Sequence, residues 1–102
     1  MPLLVTTLVE RGTTSINVAG DVDLSTEPDL WNALEKAITA EGVDEVVVDL
    51  AATTFMDCYG MGALIRGRCL ADDAGVRFRV ANASGIPLIV LALSGVLGYL
   101  DT

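Results

Sequence analysis

The sequence predicts an α/β fold in which helices pack against a mixed, mostly parallel β-sheet, in the order ββαβαβα with an optional final strand. β-rich runs alternate with segments of helical periodicity, which is typical of parallel sheets flanked by helices. The run EVVVDL at residues 45–50 has the composition of a strand buried on both faces of such a sheet. Two β-rich runs joined by a short turn open the chain, so the sheet should be mixed. The length of 102 residues fits a single domain spanning residues 1–102.

The first half of the chain should contain a hairpin and a helix. Runs at 3–9 and 13–19 flank the turn sequence Glu-Arg-Gly, which favours a β-hairpin. Ser25 or Thr26 should cap the first helix, because both precede acidic residues, a proline and apolar residues at helical spacing. Gly42 should end that helix.

The middle of the chain should place a loop between a strand and a second helix. The strand at 45–50 precedes a loop over 51–60, and the helix is expected from about Gly60 to Ala74. One face of this helix carries residues that we expect to be buried, namely Met61, Leu64, Ile65 and Cys69.

The last part of the chain should add a strand, a helix and a short final strand. Residues 76–81 alternate apolar and basic side chains, which indicates a strand with one exposed face. The third helix, at about 86–94, is apolar almost all round, and residues 96–102 suit a short strand. The apolar helix should therefore meet a partner, meet a second copy in a weak homodimer, or be buried under the tail.

The charge of the chain is strongly acidic and unevenly distributed. The net charge is −8, with 11 acids and 2 bases in residues 1–57 against 3 acids and 4 bases in residues 58–102. Such a surface repels nucleic acid and anionic membranes, so we expect no nucleic-acid partner. It either attracts a basic protein surface or serves only solubility.

Several classes of function are disfavoured by what the sequence lacks. There is no histidine, which removes Ser-His-Asp and Cys-His catalysis. Two cysteines are too few for an all-cysteine zinc site, so we expect no metal, no cofactor and no enzyme activity. The first residues do not resemble a signal peptide and no apolar run is long enough for a bilayer, so we expect a cytoplasmic protein without membrane insertion.

The most informative segment, at residues 46–62, joins a buried strand to a glycine-containing helix start. Sites in α/β sheets cluster where strands end at helix N-termini, which favour negative charge. Asp57 could cap this helix, and Cys58 could be a thiol activated there or a small residue without chemistry. Gly60 and Gly62 suit close packing or a turn, and no dinucleotide fingerprint is present. The helical distance between the two cysteines, on the order of 16 Å, disfavours a disulfide.

A second candidate segment, at residues 20–26, carries two acids two positions apart. Asp21 and Asp23 could suggest a cation site, but they lack the other ligands of a calcium loop. A strand-to-helix loop with a capping residue is the better interpretation.

Three segments, in order along nearly the whole chain, resemble the STAS family of anti-sigma factor antagonists. They are AGDVD at residues 19–23, VVDL to FMDCYGMGAL at 47–64, and the region 74–95 that contains the last strand and helix. The resemblance implies a STAS-like fold and a protein that binds an anti-sigma factor of the ATP-binding serine kinase type, thereby freeing a sigma factor. In that family, phosphorylation of a Ser or Thr just after the loop Asp releases the complex, because phosphate adds nearly two charges at the interface.

The sequence departs from the family pattern at the phosphorylated position. Where the family has Asp-Ser-Ser/Ala-Gly, this chain has Asp57-Cys58-Tyr59-Gly60, so Cys58 is the equivalent of the phosphosite. A serine kinase cannot phosphorylate a thiol in the usual way. The protein is therefore expected to stay competent for binding, or to be gated by thiol oxidation.

The resemblance also implies the residues that contact the partner. They are Asp21, Asp23, Ser25, Thr54, Asp57, Cys58, Tyr59, Gly60, Met61 and Arg66. STAS-like domains serve as accessory subunits of lipid-transporting ABC systems or other signalling assemblies as well, and this remains the alternative function. An enzyme with Cys58 as nucleophile is the third hypothesis, and it lacks a histidine base.

Overall fold

The expected opening hairpin is present in the computed structural model, which describes residues 3–93. Its two-residue turn, Arg11-Gly12, has positive φ angles of 51° and 82°, as a tight turn matched to the strand twist requires. The strands and helices run in the order β1 Leu4–Glu10, β2 Thr13–Val22, α1 Glu27–Ile38, β3 Glu45–Asp49, β4 Thr53–Met56, α2 Cys58–Ala74, β5 Arg77–Ala81 and α3 Gly85–Leu93.

The sheet is mixed and mostly parallel, as the sequence predicted. Its main path is β1-β2-β3-β5, in which β1 is antiparallel to β2 and the other neighbours are parallel. β4 lies off this path and pairs in parallel with the last residues of β2, after a register shift between Gly20 and Asp21. The second strand thus continues past the main sheet and ends beside β4.

One face of the sheet forms the core. Alternate residues of β2 and β3, such as Ile16, Val18, Val46 and Val48, are fully buried, and α1 and α2 pack together beside these strands. Val47, in the middle of β3, is only half-buried. The expectation of a strand buried on both faces was therefore wrong, because the helices α1 and α2 cover the face that carries Val46 and Val48.

Strand β4 was not predicted, because the sequence at 51–60 was interpreted as a loop. The strand has only four residues and begins with two threonines. The Thr53 side chain is nevertheless buried, and its hydroxyl donates a hydrogen bond of 2.7 Å to the carbonyl oxygen of Val18. That bond lets a polar side chain enter the core. Helix α2 then begins at Cys58, two residues before the expected start.

Cys69 is exposed, so the expectation that it belongs to the core was wrong. The buried residues of α2 are Gly60, Ala63, Leu64, Gly67 and Ala71. Most of them are small, which allows close packing: a Cβ atom on Gly67 would lie 3.2 Å from the Phe78 ring. The prediction chose the larger apolar side chains, whereas the helix contacts its neighbours through small ones.

Helix α1 is shorter than expected and α3 lies close to its expected position. α1 ends at Ile38, and Gly42 has a φ of 78° in the following turn. In α3, Leu91 is fully buried, whereas Ile86 and Ile89 are about half exposed, at 49% and 55%. The strand predicted at 96–102 lies outside the described residues. None of the helices within residues 3–93 combines the length and hydrophobicity needed to cross a bilayer.

Candidate functional site

The end of β2 leads into α1 through a turn that Asp23 organises. The Oδ1 atom of Asp23 accepts hydrogen bonds from the Ser25 backbone N–H at 3.0 Å, the Ser25 hydroxyl at 2.7 Å and the Thr26 N–H at 3.1 Å. The hydrogen bond from the Ser25 hydroxyl is the main cause that holds the pKa of Asp23 below its ordinary value. Desolvation acts in the opposite direction, and the backbone N–H donors of Thr26 and Ser25 lower the pKa further.

Thr26, one of the two residues that the sequence predicted as the cap of α1, does occupy the N-cap position. Its side chain, however, makes no capping hydrogen bond to the helix. Its hydroxyl instead donates to the carbonyl oxygen of Asp21 at 2.8 Å and accepts from the Asp23 N–H at 2.9 Å. The expected side-chain cap from Ser25 or Thr26 therefore does not form on α1, because the hydroxyl of Thr26 is directed back along the chain. The Asp23 carboxylate instead orders the turn that precedes the helix.

Asp21 and Thr54 lie together where β2 pairs with β4. The Thr54 hydroxyl donates a 2.6 Å hydrogen bond to the Asp21 carboxylate. This bond lowers the pKa of Asp21, against a smaller desolvation effect. The sequence predicted both residues as contacts of a partner, and the unpredicted strand β4 brings them together.

Asp57 caps α2, as the sequence predicted. Its Oδ1 atom accepts hydrogen bonds from the backbone N–H groups of Tyr59 at 2.9 Å and Gly60 at 3.3 Å. Its own N–H donates to the carbonyl oxygen of Val22 at 3.1 Å, which ties the start of α2 to the end of β2. The two segments singled out in the sequence, 20–26 and 46–62, thus meet in one surface.

Gly60 is the closest contact between α2 and the strands beneath it. A Cβ atom at this position would lie 2.6 Å from Cγ1 of Val22 and 2.9 Å from Cγ of Met56. The close-packing interpretation is therefore confirmed for Gly60, whereas a Cβ atom on Gly62 would meet nothing within 4 Å. Met61 is half-buried and packs against the core.

The exposed part of the site lies on the first turns of α2. Cys58 and Tyr59 are exposed, the latter by 49%. They border an open depression of about 490 Å³ that Glu27, Gly62, Ile65 and Arg66 complete.

Arg66 connects the two helices. Its guanidinium pairs with the Glu27 carboxylate and lies 4.7 Å from the centre of the Trp31 ring. The sequence prediction included Arg66 but missed Glu27 and Trp31. Glu27 was interpreted as a helix-start residue, and its pairing depends on how α1 packs against α2. Leu24 and Phe55 were missed as well; they are 62% and 38% exposed beside these segments.

Among residues 3–93, no three His, Cys, Asp or Glu side chains are grouped as metal ligands would be. The carboxylates of Asp21 and Asp23 instead accept bonds from hydroxyls and backbone amides of the protein itself. Cys58 and Cys69 are not joined in a disulfide, in agreement with their predicted separation along the helix.

The fold and this surface define a small α/β domain with a mixed sheet. The starts of α1 and α2 lie side by side at one acidic edge of that sheet. A family model described as "Mlab, STAS domain" matches residues 6–101. The chain therefore belongs to the STAS domain family. No curated protein matches the sequence.

Solved structures of anti-sigma factor antagonists share the fold. The anti-sigma factor antagonist SpoIIAA from Bacillus, in its unphosphorylated form, is 22% identical with a TM-score of 0.79, over 98% of this chain and 85% of that one. An anti-sigma factor antagonist from Mycobacterium paratuberculosis is 21% identical with a TM-score of 0.85, over 96% and 82%.

The same fold occurs inside a transporter. The murine anion transporter Slc26a9 is 14% identical with a TM-score of 0.75, and the match covers 89% of this chain but 15% of the transporter. At these identities the likeness concerns the fold alone.

Proposed function

We propose that this protein is a bacterial anti-sigma factor antagonist that acts in the cytoplasm as one domain, residues 1–102, without catalysing a reaction. It binds an anti-sigma factor of the ATP-binding serine kinase type and so releases a sigma factor. The observation that carries the proposal is the Asp57-capped start of α2, whose exposed residues Cys58 and Tyr59 adjoin the turn at 21–26, in a chain of the STAS family.

The charge of the surface supports a basic partner. Asp21, Asp23 and Asp57 lie around the exposed start of α2, and Arg66 is already paired with Glu27. An acidic surface of this kind accelerates the encounter with a basic one and weakens with rising salt. The contact residues in this proposal are the ten that the sequence predicted; Gly60 and Met61 act mainly by placing the others.

Cys58 removes the hydroxyl that a serine kinase would need. Its exposure at the first position of α2 leaves the side chain accessible to a partner. In our proposal the chain stays in the binding-competent state that an unphosphorylated relative would have. A negative charge at this position would imitate the phosphorylated state and repel the partner.

The test is capture from the native lysate, identification of the partner by mass spectrometry, and calorimetry with the purified partner and ATP or ADP. An anti-sigma factor that binds at micromolar concentration supports the proposal. Cys58→Asp should weaken this binding by at least about tenfold, because it introduces an uncompensated charge into the contact. Cys69→Asp is the matched control, since Cys69 is an exposed cysteine on the same helix. No binding of any anti-sigma factor kinase, or equal effects of the two variants, would contradict the proposal.

A second candidate function is an accessory subunit of a lipid-transporting ABC system. Two observations favour it: the matching family is described as Mlab, and the phosphosite equivalent carries Cys58 followed by the exposed Tyr59. Under this alternative the protein co-purifies with a transporter ATPase, and Tyr59→Ala weakens the complex because an exposed aromatic anchor is lost. Capture of the ATPase in place of an anti-sigma factor would decide for this function.

A further inference from the structure

We propose that the edge of strand β1 is a self-association surface on which a second copy of this chain binds, extending the sheet across a two-fold axis. The argument starts from hydrogen bonding. Within residues 3–93, β2 is the only strand that pairs with β1, so the other side of β1 is an open sheet edge. Such an edge presents N–H and C=O groups that a further strand can bond.

The hairpin register identifies the backbone groups on that edge. Glu10 pairs with Thr13 across a two-residue turn, and the pair that flanks such a turn is hydrogen-bonded. Hydrogen-bonded pairs then alternate along the strand, so the groups of Leu4, Thr6 and Leu8 face β2. The N–H and C=O groups of Val5, Thr7 and Val9 face away from it.

These three residues match a second copy in one symmetric register. If Thr7 lies opposite Thr7 of the partner subunit in an antiparallel pair, Val5 lies opposite Val9 of the partner subunit. By symmetry, Val9 lies opposite Val5 of the partner subunit. All three outward-facing residues then form hydrogen-bonded pairs, which is the self-complementarity that a two-fold interface needs. A shift of the register by two residues loses at least one of these pairs.

The edge lacks the devices that usually prevent such pairing. Seven residues of β1, LVTTLVE, contain no lysine and no proline, and the only charge is at the terminal Glu10. Val9 is 67% exposed and Leu4 63% exposed. Long, apolar, exposed edge strands are association sites.

Helix α1 adds charge complementarity on one side of the strand. Val5, Thr7 and Val9 line a groove of about 450 Å³ with Asp29, Ala33 and Lys36 of α1. A two-fold axis through Thr7 makes the two α1 helices antiparallel. Asp29 then lies on the side of Lys36 of the partner subunit, twice in the dimer, and the small Ala33 between them allows close approach.

The symmetric arrangement leaves the candidate functional site of each copy accessible. The site lies where β2 ends, and the β2 strands of the two copies run in opposite directions. The two sites therefore lie at opposite ends of the dimer, which would present two partner-binding surfaces. The exposed part of α3 is the other apolar surface, but nothing within residues 3–93 shows what would cover it.

The test is sedimentation equilibrium of the whole chain from about 1 µM to 1 mM, a range that spans weak association. We expect a monomer–dimer equilibrium in the wild type. Thr7→Pro removes an outward-facing N–H without removing a bond to β2, so it should abolish the dimer while circular dichroism stays unchanged. Amide exchange at Val5, Thr7 and Val9 should slow as the protein concentration rises.

A charge exchange on α1 provides the specific control. Asp29→Lys alone and Lys36→Asp alone should each weaken the dimer by about tenfold or more, and the double variant should restore it, because opposite charges face each other again. Glu35→Lys changes the net charge by the same amount as Asp29→Lys, but on an exposed residue outside the groove, so it should leave association at the wild-type level. The proposal is overturned if the wild type is monomeric at about 1 mM. It is also overturned if the dimer survives Thr7→Pro, or if Ile86→Asp on α3 dissolves it while Thr7→Pro does not.

Discussion

The two helix starts that form the candidate site are held in different ways. At α1, Asp23 collects three donors, and the first turn carries the acids Glu27 and Asp29. At α2, Asp57 alone accepts two backbone donors, and the first turn has no acidic residue. The positive end of α1 is therefore compensated by acids of its own first turn, whereas that of α2 is compensated by the Asp57 carboxylate alone, beside the exposed Cys58.

This difference explains how one edge of a small domain can combine a fixed backbone with exposed residues that are free to vary. The start of α1 is internally bonded and offers a fixed acidic surface. The start of α2 is fixed by packing beneath it, through Gly60, so its exposed residues can differ without loss of the fold. The replacement of a hydroxyl by the thiol of Cys58 is a change of that kind.

The largest effect should come from removing the close contact under α2. Gly60→Ala places a Cβ atom 2.6 Å from Val22, and overpacking of this kind costs about 1–3 kcal/mol of unfolding free energy. Gly62→Ala, in the same helix and without a neighbour within 4 Å, should stabilise by about 0.5–1 kcal/mol through helix propensity. Urea unfolding of both variants measures this. Equal signs for the two substitutions would show that packing does not hold the start of α2.

An intermediate effect should separate the Asp57 cap of α2 from the Asp23 turn that precedes α1. Asp57→Ala leaves the N–H groups of Tyr59 and Gly60 without their acceptor, which costs about 1 kcal/mol. Asp23→Ala should cost less, because the Thr26 N–H also bonds the Asp23 carbonyl oxygen at 3.2 Å and the Glu27 N–H does so at 2.8 Å.

The measurement is again urea unfolding, with Asp57→Asn as the control that keeps a capping oxygen. If Asp23→Ala were the more destabilising of the two variants, the start of α1 would depend on the Asp23 carboxylate in the preceding turn rather than on the backbone bonds.

The sequence predicted what depends on local patterns. The hairpin follows from a turn with Gly12, and the cap from an acid directly before α2. Ser25 and Thr26 are both good capping residues, and the sequence does not reveal that the Thr26 hydroxyl bonds the Asp21 carbonyl oxygen instead of capping α1. Strand β4 is four residues long and is stabilised by pairing with distant β2, so no local pattern reveals it.

The same reasoning accounts for the site residues that were missed. Glu27 and Trp31 belong to the site only because α1 packs beside α2 and brings them to Arg66. Cys69 was misplaced because the buried face of α2 is defined by small residues, such as Ala63 and Gly67, that a search for large apolar side chains passes over. Contacts between elements, and the short strand β4 that depends on such a contact, were beyond sequence reasoning here.

The smallest effect concerns Asp21 and Asp23, at the acidic end of β2, and appears as a dependence of stability on pH. The folded state lowers the pKa of Asp21 and Asp23 below the ordinary value of 3.8. Their contribution to stability is therefore complete above the unfolded pKa and is lost as the pH falls through the lower folded value. Thr54→Val removes the main donor to Asp21, so the pKa of Asp21 should rise toward its ordinary value and the fall in stability on acidification should become shallower.

An NMR titration of the carboxyl groups tests this together with the melting temperature between about pH 6 and pH 3. Asp23 is the internal control, because its main donor is Ser25 rather than Thr54, and its pKa should stay lowered in the same sample. Ser25→Ala should give the reverse pattern. If Thr54→Val raised both values together, the two carboxylates would respond to one shared environment. The acidic edge would then act as a single electrostatic unit rather than as two locally bonded groups.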